Sequence, residues 1–269
     1  MVRRTLGNHH DGPDTLLVTS DTTQTDQVTS AAPQTRDDTE RVRALVARAR
    51  VVLWDFDGPV CRLFAGHSAE GVASDLVEWL EGRGLHGLLT EQERQSLDPH
   101  AVLRAVDLRQ RGSDLVAELE ERLTKEELKA APLAMPTAYA DPLIRTWTAV
   151  GSRLAITTNN SPRVVREYLT SRGLLGCFAP HVYGRTRELR HLKPDPHCLN
   201  RALHALGAAP SAALMIGDTP SDLEAARRAD VPFLGYARNR AKEKLLRDAG
   251  ATDVVGSLET VLDAVRGQA

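Results

Sequence analysis

No apolar run in this 269-residue sequence is long enough to span a bilayer, so no membrane-crossing helix is expected. Charge of either sign is not in excess: the formal net charge is −2, which leaves no global field to favour nucleic acid or an anionic membrane surface. Cysteine is scarce. Cys61, Cys177 and Cys198 are odd in number and widely spaced, which fits neither a zinc site nor a disulfide framework and points to a reduced, cytoplasmic protein. The opening stretch MVRRTLGNHHDGPD has two arginines but no continuous apolar segment behind them, so no secretory leader is expected. No internal repeat is visible.

What is present falls into three blocks. Residues 1–40 are poor in apolar side chains and rich in Thr, Asp, Gln and Ser, a composition that cannot offset its ordering entropy; they are predicted to be a disordered tail. Thr39 to Arg50 then reads as a lead-in helix with Val42, Leu45 and Val46 on one face. The continuous apolar run VVLWD from Val51 follows as a first strand covered on both faces. Residues 66–140 read as nearly all helix. Ser68 and Asp98-Pro99 supply start signals, and TKEE at Thr124–Glu127 fits a capping box. From residue 141 the pattern alternates: strands in RLAITT, HVYG, AALMIGD, PFLGY and TDVVG, with helices between them closed by Gly173 and Gly207. The expected fold is α/β: a doubly wound, Rossmann-like parallel sheet built from residues 41–65 and 141–269, with an inserted α-helical cap at 66–140.

In such sheets the ligand lies beyond the carboxyl ends of the strands. Asp55 and Asp57 stand at the end of the first strand, Thr158 and Asn159 after LAIT, and Asp218 after ALMIG, with Asp222 one turn further. Lys193 precedes PDP in a loop that opens a helix. Each piece alone has an ordinary explanation in a turn, a cap or a solvated loop. Jointly they suit a hard divalent cation and a phosphate. Asp55 can attack phosphorus, given that carboxylates are known covalent nucleophiles. A carboxylate facing a phosphate dianion is repelled, which calls for Mg²⁺ between Asp55 and Asp218, with a backbone oxygen of Asp57 as a further ligand. The Asp57 side chain can move the proton. Thr158 and Lys193 can hold the phosphoryl oxygens, and Gly58 permits a sharp turn beside them.

These motifs, DFDGPV, LAITTN, KPDP and GDTPSDLEAA, resemble those of the haloacid dehalogenase (HAD) superfamily over residues 48–265. The place of the helical block resembles the phosphoglycolate phosphatase-like subclass, with its cap just after the first motif. The resemblance implies Asp55 as nucleophile, Asp57 as acid and base, phosphate binding by Thr158, charge neutralisation by Lys193, Mg²⁺ at Asp218 and an auxiliary metal role for Asp222. Pro59 departs from the Thr usual at its place and removes a hydroxyl and an N–H from the turn. Asp57 is kept in the family's phosphatases and mutases and replaced in its dehalogenases and phosphonatases. The expected function is therefore Mg²⁺-dependent hydrolysis of a small phosphorylated metabolite through an aspartyl-phosphate. A hexose-phosphate-type mutase and a non-catalytic scaffold are the alternatives. No nucleic-acid or membrane partner is expected. Arg62, Phe64, His67, His100 and Arg109 are candidates for the cap surface facing the leaving group, with Arg62 and His67 favoured because they lie nearest Asp55 in sequence.

Overall fold

The computed structural model describes residues 36–267; the disordered-tail expectation for 1–35 lies outside them. Residues 36–40, expected in that tail, instead open helix α1 (Arg36–Arg48). Asp37 and Asp38 sit in its first turn, where the helix dipole favours acids, and both pair with Arg41. The chain continues through β1 (Val51–Trp54), β2 (Cys61–Arg62), α2 (Ala69–Gly82), α3 (Glu91–Arg94), α4 (Pro99–Gln110) and α5 (Asp114–Ala130). Next come β3 (Met135–Pro136), α6 (Ala140–Ala149), β4 (Arg153–Thr157), α7 (Pro162–Ser171), α8 (Leu175–Phe178), β5 (Val182–Tyr183) and α9 (His197–Leu206). The last elements are β6 (Ala213–Gly217), α10 (Pro220–Arg228), β7 (Phe233–Tyr236), α11 (Arg240–Asp248), β8 (Val254–Val255) and α12 (Glu259–Arg266).

Six strands form one parallel sheet in the order β5-β4-β1-β6-β7-β8. All four residues of β1 are buried because helices cover both faces. Val52 and Trp54 pack with residues of α1, α6, α7 and α12, and Trp54 meets Trp147 edge to face at 5.7 Å. Val51 and Leu53 pack with α9 and α10. Each such side chain contributes about 1.5–3 kcal/mol by burial. β1 lies between β4 and β6, with Trp54 level with Ile156 and Ile216. Chain order reverses there, so three neighbouring strands end at one crevice and deliver Asp55, Thr158 and Asp218 to it.

The helices α2, α4 and α5 bury a separate apolar cluster that includes Leu76, Leu80, Leu103, Leu119 and Leu123. Leu189 and Leu192, from the loop before Lys193, join this cluster, so the insert packs directly on that loop. Ser68 caps α2 by accepting from the Gly71 amide at 3.0 Å, and Asp98 caps α4 from the His100 amide at 2.8 Å. The expected start at Thr124 is not there. Thr124 lies inside α5, its hydroxyl bonded to Glu120 one turn back at 2.9 Å. The buried face Val116, Leu119, Leu123, Ala130 runs on through TKEE with no residue to break it, and continuity of packing outweighs a local capping pattern.

One element had no sequence signal. β2 and β3 pair as a two-stranded antiparallel ribbon, Cys61 against Pro136 and Arg62 against Met135. The chain enters and leaves the insert through it. Two residues per strand give no alternation to read. Thr137 fastens the ribbon to the core, its hydroxyl donating to the Gly58 carbonyl at 2.5 Å. No helix among the described residues is long and apolar enough to cross a membrane.

Candidate active site

The strand-end residues meet around one buried ammonium. Lys193 Nζ donates to Asp55 Oδ1 at 2.7 Å, Asp222 Oδ1 at 2.5 Å and the Thr157 carbonyl at 2.9 Å. All three of its protons are used. Burial alone would lower the Lys193 pKa, but Asp222 and Asp55 outweigh it and hold the group charged. Asp55 is pushed up to about 7, chiefly by burial and then by Asp222 and Asp218, against the pull of Lys193. Asp57 is pushed up to about 6 by burial, with Asp218 adding to this and the Leu63 amide, 2.8 Å from Oδ1, opposing it.

Asp55, Asp218 and Asp222 each offer a carboxylate oxygen within 4.8 Å of the others. Their hydrogen bonds separate them. Asp222 is engaged on both oxygens: Oδ1 with Lys193, Oδ2 with the amides of Asp218 and Thr219 and the Thr219 hydroxyl. It therefore holds Lys193 and the start of α10. Asp218 Oδ2 accepts from Lys242 at 2.7 Å, while Asp218 Oδ1 is buried with no hydrogen-bond partner. A buried acceptor without a donor is costly, and a cation satisfies it. An all-oxygen donor set suits a hard ion such as Mg²⁺, and Asp55 with Asp218 fits that requirement. Gly58 keeps the approach open: its φ is +125°, and a Cβ there would run into the Asp218 carboxylate.

Thr158 follows β4 directly. Its hydroxyl donates to Asn160 Oδ1 at 3.0 Å and accepts from the Asn160 amide at 3.2 Å. Asn159 grips Lys193 at both backbone atoms, accepting from its amide at 2.7 Å and donating to its carbonyl at 3.3 Å. These groups open onto a pocket of about 510 Å³ whose opposite wall comes from the insert.

A family model of haloacid dehalogenase-like hydrolases matches residues 49–230. The chain belongs to that family. It is 37% identical over 113 residues to a phosphoglycolate phosphatase from Rhodospirillum rubrum, across 40% of this chain and 46% of that protein. It is 28% identical over 193 residues to a phosphoglycolate phosphatase from Aquifex aeolicus, across 67% of this chain and 81% of that protein. A solved structure of a predicted phosphatase from Clostridium acetobutylicum superposes with a TM-score of 0.59 at 17% identity, covering 81% of this chain and 98% of that one; this likeness concerns the fold. The chain spans about half the length of the first curated relatives it matches, at 46%, 47% and 48%.

In this HAD-like hydrolase the five residues expected on the leaving-group side divide. Arg62, Phe64 and His100 line the pocket. His67 does not: its Nε2 bonds Glu126 of α5 at 3.0 Å, because the chain turns away at the next residue, Ser68, which caps α2. Arg109 is also elsewhere, paired with Glu93 at 2.9 Å. The pocket includes three further cations, Arg104, Arg238 and Lys242. Arg104 stands one helical turn from His100 on α4, so an i, i+4 reading from His100 would have found it. Arg238 and Lys242 follow the end of β7, where the strand-end rule points. Arg185, after β5, is the buried arginine whose side chain is 0% exposed.

Proposed function

We propose that this HAD-like hydrolase is a Mg²⁺-dependent phosphatase of small phosphate monoesters, acting through an aspartyl-phosphate on Asp55. The observation that carries this reading is the meeting of Asp55, Asp57, Lys193 and Asp218 at one pocket, with Asp218 Oδ1 buried and unpartnered beside them. A Mg²⁺ ion held by Asp55 and Asp218 supplies the positive charge that lets a carboxylate approach a phosphate dianion.

The remaining steps belong to the chain's own residues. Asp55 attacks phosphorus, and the bond to the leaving alcohol oxygen breaks as Asp57 gives that oxygen a proton. Asp57, now ionised, takes a proton from water. The water oxygen attacks the phosphorus of the aspartyl-phosphate, and the bond to Asp55 breaks to free phosphate. A carboxyl group with a pKa of about 6 suits both directions of this proton transfer near neutral pH. Lys193 keeps a fixed positive charge beside Asp55, and Thr158 offers a hydroxyl to a phosphoryl oxygen.

Residues 41–65 with 141–269 form the core in this reading, and 66–140 the cap that covers the leaving group. Arg62 on the cap side and Arg238 on the core side line the pocket without an ion-pair partner among the described residues, and they favour a leaving group that carries a negative charge of its own. The names of the Rhodospirillum and Aquifex relatives agree with this and make 2-phosphoglycolate the first compound to test. The test is phosphate release from a panel of phosphate monoesters, with Mg²⁺ and with a chelator. Release that needs Mg²⁺ supports the reading. No release from any ester counts against it.

A further inference from the structure

The insert and the core share a charged cluster that the proposed chemistry does not use. Glu127, near the end of α5, is 0% exposed. Its carboxylate accepts four hydrogen bonds from the core: Asn160 Nδ2 at 3.0 Å, the Ser161 amide at 3.1 Å, and Arg185 Nη1 and Nη2 at 2.8 and 3.0 Å. His100 Nε2 lies 3.3 Å from the same carboxylate. Burial would raise the Glu127 pKa, but Arg185 and then His100 hold it at about 2, so the charge persists at neutral pH.

Arg185 is the counterpart on the core. It donates to Glu120 at 2.9 Å and Thr124 at 2.8 Å, both on α5, and to the Asn159 carbonyl at 3.0 Å. Its own amide donates to the Asn160 carbonyl at 2.9 Å. Gly184 allows this close seating, since a Cβ there would run into that carbonyl.

All these contacts converge on the turn Thr158–Ser161. Asn160 is bonded to Glu127 on one side and to the Thr158 hydroxyl on the other. Asn159 is held at its carbonyl by Arg185 and grips the Lys193 backbone with its side chain. Two short paths therefore run from α5 to pocket-lining groups, one ending at Thr158 and one at Lys193. Neither Glu127 nor Arg185 lines the pocket. A buried ion pair is a poor source of stability, because desolvation offsets its attraction and apolar side chains can fill the same space. What such a pair supplies well is fixed geometry, through donors and acceptors in a rigid fork.

We propose that Glu127 and Arg185 are positioning residues for phosphate handling. Seating of the insert through this pair sets the turn Thr158–Ser161 and, through Asn159, the backbone of Lys193. The inference rests on the phosphatase reading above.

The test uses the full-length chain with Mg²⁺, p-nitrophenyl phosphate and 2-phosphoglycolate as esters, and calorimetric binding of inorganic phosphate. The variants are Glu127→Gln and Arg185→Lys, each assayed well below its own Tm. The phosphate group is common to both esters. The expected result is therefore an equal fall in kcat/KM on the two, by about 10- to 100-fold, the scale on which supporting partners of a site act. Affinity for inorganic phosphate falls alongside. Arg163→Ala removes an exposed insert–core pair, Arg163 to Glu121 at 3.4 Å, and leaves all three readouts unchanged. A purely structural role for Glu127 lowers Tm and leaves kcat/KM and phosphate affinity at wild-type values, and that result overturns the inference. Should Glu127→Gln not fold, Asn160→Ala cuts the same tie without stranding a charge, and wild-type values there overturn it equally. A wild-type protein that neither hydrolyses an ester nor binds phosphate removes the phosphatase reading and this inference with it. An active wild type matched by Glu127→Gln removes the inference alone.

Discussion

Lys193 and Asp55 are 138 positions apart in the sequence and 2.7 Å apart in the structure, ammonium to carboxylate, both buried. The pair couples the proposed nucleophile to the loop on which the insert rests. Any change to it bears on stability as well as on chemistry.

Lys193→Met leaves Asp55 and Asp222 facing each other without their cation. Removing one partner from a buried ion pair costs about 3–5 kcal/mol. Urea unfolding of the metal-free variant is expected to show a loss of that order. Mg²⁺ should then stabilise the variant more than the wild type, because it restores positive charge beside Asp55. Equal stability without metal would mean that the lysine is not the counter-ion of the two acids.

Asp57→Asn removes the proton donor and keeps the shape. The loss should track the leaving group: about 10²- to 10⁴-fold for an alkyl phosphate, whose alkoxide needs a proton, and much less for p-nitrophenyl phosphate, whose phenolate does not. The value of kcat/KM on the two esters decides this, because it ends at loss of the leaving group and leaves out the water step that both esters share; a uniform loss in kcat/KM would contradict proton donation by Asp57.

Asp218→Asn keeps the size of the side chain and weakens the metal site. Thermal melts with and without Mg²⁺ are the measurement. Wild type is expected to gain Tm on addition of Mg²⁺, by mass action on the folded state, and the variant to gain little. A full Mg²⁺ response in Asp218→Asn would move the cation site away from this residue.

Glu127 makes the acid stability distinctive. Its pKa is about 2 in the fold against an ordinary 4.5, so it is depressed. The stability this contributes is complete above pH 4.5 and is lost as pH falls through about 2. A difference of that size corresponds to about 3 kcal/mol. Urea titrations from pH 5 down to pH 2 should therefore show the wild type losing its advantage over Glu127→Gln, and parallel curves would contradict the assignment.

The strand ends were legible because their signals are local. VVLW and ALMIG are continuous apolar runs, each followed by an acid, and Pro220 after ALMIG and Pro162 after RLAIT mark helix starts. The proposed roles of Asp55, Asp57, Lys193 and Asp218 could be read from that pattern with the family's motifs. The partners that join α5 to the segment after β5 were not legible. Arg185 finds Glu127 at 58 residues' separation, and an arginine in GRTRELR looks the same whether buried or solvated. His67 was misplaced for the opposite reason: closeness to Asp55 in sequence says little once Ser68 caps a helix and the chain turns away. TKEE misled because a capping pattern is also a good helix interior when the apolar face runs on through it.

The most direct test of the central claim is Mg²⁺-dependent phosphate release by Asp55→Asn beside wild type, on whichever ester the wild type hydrolyses best. The account predicts no turnover in the variant, with its fold and its affinity for inorganic phosphate retained. Turnover at the wild-type rate would contradict nucleophilic attack by Asp55 and the mechanism built on it.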